Sequence, residues 1–95
     1  MVDFGKRLKK LRNEKGLTQQ QVADRVWVSK AVVSSYEIGT RAPSYEVLIK
    51  LAKLFGVSTD FLLGVSPKRV INVDNLTEEQ ITLITQLIKE IERNN

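Results

Sequence analysis

Apolar side chains recur at helical spacing through almost the whole chain, and each run is bounded by a polar capping residue or a glycine. Phe4, Leu8 and Leu11 fall at i, i+4 and i+7, with Lys6, Lys9, Lys10 and Arg12 between them, and Gly16 stops this first helix, roughly residues 3–15. Thr18-Gln19-Gln20-Gln21 is a capping box that opens a second helix with Val22, Ala23 and Val26 turned inward. After a short break at Trp27-Val28, Ser29 caps a third helix over 29–37, with Val33 and Tyr36 on its inner side. Gly39, Thr40 and Pro43 mark a loop. Ser44 then caps a fourth helix whose Val47, Leu48, Leu51, Ala52 and Phe55 form one apolar stripe, ended by Gly56. Ser58 opens a short fifth helix containing Phe61, Leu62 and Leu63, ended by Gly64. Thr77-Glu78-Glu79-Gln80 is a second capping box and starts a last helix over about 77–93. The pattern predicts an all-α chain: a five-helix domain over 1–64, a connection over 65–76 and a C-terminal helix within 77–95. The patch 70–73 is the one stretch whose residue types would also suit a strand.

The chain has 95 residues, no cysteine and no histidine. Disulfides, thiolate chemistry and the usual zinc ligands are thereby removed together, and no metal or cofactor is expected. No signal-peptide run stands at the start and no apolar run is long enough for a membrane span, which suggests a cytoplasmic protein. The formal charge of +4 is uneven: residues 1–69 carry 13 Lys/Arg against 6 Asp/Glu, or +7, and residues 70–95 carry 2 against 5, or −3. A basic body suits a polyanion, and the acidic tail has some other task.

Two short helices joined by a tight turn, one ending at Val26 and one starting at Ser29, form a helix-turn-helix pattern. The free amides at Thr18-Gln19 can hold a backbone phosphate, while the helix over 29–37 lies in a major groove.

Leu17-Thr18-Gln19, Val28-Ser29, Val33-Ser34, Tyr36-Glu37, Gly39, Pro43-Ser44, Leu51-Ala52 and Phe55-Gly56-Val57-Ser58 together resemble the phage-repressor and Cro-like, or XRE-type, family of helix-turn-helix regulators. The resemblance covers roughly residues 4–64. It implies a compact five-helix domain that binds operator DNA, usually as a dimer, and a transcriptional regulator, most often a repressor. Residue by residue, it implies that Thr18 and Gln19 meet a phosphate. It implies that Lys30, Ala31, Ser34 and Ser35 face the bases, with Val32 beside them, and Ser29, the cap of that helix, is expected to touch DNA as well. Thr40 and Arg41 touch a second phosphate cluster, and Arg12 pairs with Glu37.

Each residue also has a plainer reading. Lys30 could be a solvated lysine, although its place just past the Ser29 cap favours DNA. Ala31 and Val32 could be ordinary helix formers, but an exposed Val beside Ala could also meet a thymine methyl. Arg12–Glu37 reads first as structural. Trp27 departs from the family pattern, because its position in the turn usually carries Gly with φ > 0. Either the turn takes another shape or packing of the indole compensates. The plainer reading folds the indole onto the domain surface, and the alternative is a contact with DNA backbone or a partner.

In the last helix Ile81, Ile84, Ile88 and Ile91 are spaced 3, 4, 3, with Leu83 and Leu87 beside them. The expected use is a homodimer seam formed by Ile81, Ile84, Leu87, Ile88 and Ile91. The alternative is an antitoxin-like or adaptor protein whose last helix binds a different chain. An enzyme is disfavoured for want of His, Cys or a phosphate-binding Gly loop, and no small-molecule ligand is evident. The expected partner is a double-stranded DNA operator.

Overall fold

The computed structural model describes residues 4–66 and 73–94. Six helices follow in order: α1 (Phe4–Glu14), α2 (Gln19–Val26), α3 (Lys30–Ile38), α4 (Tyr45–Phe55), α5 (Thr59–Leu63) and α6 (Glu78–Arg93). Among the described residues there is no strand. Three of the four residues of the ambiguous patch 70–73 lie outside the described residues, as do Pro67, Lys68 and Arg69 of the connection.

The helix starts are set locally. Ser29, Ser44 and Ser58 each accept a hydrogen bond from the backbone amide three residues on. Thr18 and Thr77 do the same, while Gln21 and Gln80 reach back to the threonine amides, closing two capping boxes. The ends of α1 to α5 also share one device. An amide bonds a carbonyl five residues earlier, as in Leu17 to Arg12, Val28 to Ala23, Thr40 to Ser35, Val57 to Ala52 and Val65 to Asp60. This closure needs a left-handed residue, and four ends place Gly there, at positions 16, 39, 56 and 64. The end of α2 places Trp27 there instead, at φ 64° and ψ 43°.

So the turn keeps the shape that glycine would give it, at a backbone cost of about 1–3 kcal/mol. The expected compensation is absent. The Trp27 side chain is 83% exposed and does not fold onto the domain.

The core is continuous from Phe4 to Leu62. Phe4, Leu8 and Leu11 of α1 meet Val22, Ala23 and Val26 of α2, Val33 and Tyr36 of α3, Leu51, Ala52 and Phe55 of α4, Val57, and Leu62 of α5. Phe4 and Tyr36 pack edge to face, 6.3 Å between centroids. The Arg7 guanidinium lies 5.0 Å from the Phe61 ring centroid and ties α1 to α5. Gly5 lies where α1 crosses the C-terminal turn of α3. A Cβ built there would stand 2.5 Å from the carbonyl oxygens of Tyr36 and Glu37, so only glycine permits this approach.

α6 contributes nothing to this core. None of its residues is buried, and Leu83, Leu87, Ile88 and Ile91 are exposed. Ile81 and Ile84 are half-buried. Among the described residues no helix is long and apolar enough to cross a membrane.

Candidate nucleic-acid interface

The helix-turn-helix unit is held by a small polar lock. Arg12 of α1 donates from Nε to Glu37 Oε2 at 2.7 Å and from Nη2 to Glu37 Oε1 at 3.1 Å, a two-pronged pair across α1 and α3. Its Nη1 donates to the Leu17 carbonyl at 2.9 Å, just ahead of α2. Gln19, the first residue of α2, donates from Nε2 to Glu37 Oε1 at 3.1 Å. Both charged side chains are largely removed from solvent, at 13% exposure for Arg12 and 4% for Glu37. The hydrogen bonds that Arg12 donates to Glu37 raise the Arg12 pKa above its ordinary value, against the opposing effect of burial. The expected Arg12–Glu37 pair is therefore formed, and Gln19 joins it. The Gln19 amide nitrogen carries a second hydrogen for an external acceptor.

Around this lock the sequence candidates fall into three groups. Lys30 and Ala31 are exposed, and Ser34 and Ser35 half-buried. At 100° per residue the four span one outer arc of α3, opposite Val33 and Tyr36. The Ser35 hydroxyl donates to the Ala31 carbonyl at 3.0 Å. Ser29 and Thr18 stand at the N-termini of α3 and α2, and their hydroxyls serve as caps. Thr40 and Arg41 are exposed in the loop after α3, where the Thr40 amide closes the helix end on Ser35. Burial raises the Tyr36 pKa, and the Arg41 charge opposes this.

Val32 is not the exposed apolar residue that the sequence suggested. It is half-buried and packs against the core, because its position on α3 turns toward the inner face. Ile38 takes its place. α3 runs one residue past the expected end, and Ile38 is 73% exposed on the row Lys30, Ser34, Ile38. The sequence reading missed it by ending the helix at 37. The i, i+4, i+8 spacing was the signal that could have found it. Lys50 was missed as well: its Nζ lies 4.8 Å from the centroid of the Trp27 ring. Among the described residues, no three acidic side chains gather as a metal site.

Comparison with known proteins agrees with this geometry. A family model described as helix-turn-helix matches residues 8–62. The SPbeta prophage-derived HTH-type transcriptional regulator YonR of Bacillus subtilis (strain 168) is 41% identical over 81 residues, which is 85% of this chain and 74% of YonR. A transcriptional regulator from Listeria innocua superposes with a TM-score of 0.64 at 31% identity, over 95% of this chain and 92% of its own. The P22 c2 repressor, solved in complex with a synthetic operator, superposes with a TM-score of 0.61 at 29% identity, over 62% of this chain and 89% of its own. Since the helix-turn-helix model spans more than half of the chain and YonR is matched over most of its length, the chain belongs to the phage-repressor-like, XRE-type helix-turn-helix family.

Proposed function

We propose that the chain is a sequence-specific DNA-binding transcriptional regulator that represses by occupying a palindromic operator as a homodimer, working in the cytoplasm. The observation that carries this reading is the outer face of α3. Lys30, Ala31, Ser34, Ser35 and Ile38 lie on one arc, away from the buried Val33 and Tyr36, on a helix fixed to α1 and α2 through Glu37. Short polar and small apolar groups on a rigid helix suit the base edges of a major groove. Thr18, Gln19, Thr40 and Arg41 bracket that helix as phosphate contacts, which set register rather than sequence. The related P22 c2 protein is itself a repressor bound to an operator, in keeping with this assignment.

The dimer half of the proposal rests on α6. Its apolar stripe would be marginal as an isolated helix in water, and a second copy is the simplest cover. A two-fold axis through paired α6 helices would set two recognition helices about 34 Å apart on one face of the duplex. The same stripe would also accept a different chain, as in an adaptor or antitoxin. Selection of bound duplexes from a random pool tests the reading. Enrichment of an inverted repeat is the expected result. No enrichment over random sequence would refute sequence-specific regulation, and a single half-site would refute the symmetric dimer.

A further inference from the structure

Trp27 combines two features that oppose stability. It holds the single left-handed non-glycine backbone among the described residues, and its ring is the most exposed of their large apolar side chains. No buried packing offsets the strained turn. What meets the indole is a cation, the Lys50 ammonium carried over from α4 at 4.8 Å. Arg25 and Lys30 flank it along the chain, both exposed. The nearest acid in sequence, Asp24, accepts a hydrogen bond from the Gln20 amide at 2.8 Å. Lys50 thus brings a positive charge to the ring, which stands two residues before the Ser29 cap of α3.

This chemistry fits a partner that alternates apolar surface with negative charge. A nucleic-acid backbone does so, with deoxyribose between phosphates. The indole N–H is a donor only and suits a phosphate oxygen, while the ring face suits the sugar. We propose that Trp27, together with Lys50, is a contact to the DNA backbone beside the groove that the first turn of α3 occupies. The inference rests on the DNA-binding reading and adds a residue pair to it. It also gives a use to a strained tryptophan at a position where glycine would close the turn more cheaply. The contact contributes affinity without reading sequence, because sugar and phosphate are the same at every step.

Trp27 is the only tryptophan of the chain, so its emission reports the contact directly. The full chain is titrated with a fluorescein-labelled duplex taken from the random-pool selection, following label anisotropy and tryptophan emission together. Emission should change and acrylamide quenching should fall, both saturating with the anisotropy. Trp27→Gly should keep or raise the Tm, since the turn is relieved, yet weaken binding to selected and random duplexes alike by roughly tenfold. Lys50→Ala should weaken both and reduce the slope of log affinity against log salt by about one. Anisotropy that rises while emission and quenching stay unchanged would overturn the inference and leave the DNA reading intact. So would a Trp27→Gly chain that binds as the parent does, or emission that follows protein concentration without duplex. No rise in anisotropy would remove the DNA reading and this contact with it.

Discussion

Glu37 receives three hydrogen bonds from two other parts of the fold: two from Arg12 and one from Gln19. With both charges of the pair nearly buried, removing one leaves the other without compensation. Glu37→Ala should therefore cost about 3–5 kcal/mol, read by urea denaturation. A loss under about 1 kcal/mol would mean that the pair behaves as an exposed one. Gly5 makes the opposite kind of demand. Replacing a helical glycine with alanine normally gains up to about 1 kcal/mol. Here the new methyl would meet two backbone oxygens at 2.5 Å, which cannot swing aside as a side chain would. Overpacking of about 1–3 kcal/mol should win, so Gly5→Ala should lower the Tm. A raised Tm would show that α1 can shift freely over α3.

At the scale of the helices, base contacts and backbone contacts should separate under mutation. Lys30→Ala or Ser35→Ala should change which sequence is preferred, by about 1–3 kcal/mol at a contacted base pair. Gln19→Ala should weaken all duplexes about equally. Affinities on a panel of single-base variants decide this, and a uniform loss from both kinds of mutant would misplace the reading face. The helices themselves were legible because their boundaries are local. Serine and threonine caps and left-handed closures act within five residues, so α1 to α5 could be delimited by inspection to within a residue or so, the end of α3 being set one residue short. The Arg12–Glu37 pair was reached through family resemblance, since 25 residues separate its members. Three things were not legible. Val32 lies at the border between the outer and inner faces of α3, where a step of one residue turns the side chain by about 100°. The exposure of Trp27 depends on a backbone angle that its neighbours do not dictate. The role of Gly5 depends on where two helices cross, which no spacing within either one reveals.

For the whole molecule, the charges and the idle apolar face lead to two tests. A basic body that neutralises several phosphates should bind duplex with an affinity that falls steeply as salt rises, by orders of magnitude from low to moderate salt if six or more phosphates are met, roughly. A flat response would count against the phosphate contacts assigned to Gln19, Thr40 and Arg41. Removal of residues 77–95 deletes no core residue among the described residues, whose buried set runs from Phe4 to Leu62. The shortened chain should stay folded, sediment as a monomer and bind its operator far more weakly, while the full chain sediments as a dimer at tens of micromolar, roughly. A truncated chain that still dimerises would move the interface elsewhere. The separation of α6 from the core also bears on how such a chain can diverge. Substitutions along α6 alter no packed interior, so they meet little resistance from folding. Two descendants of one gene could come to ignore each other by changing a few isoleucines while keeping the same recognition unit. Partner choice and operator choice are then inherited on separate stretches of one short chain.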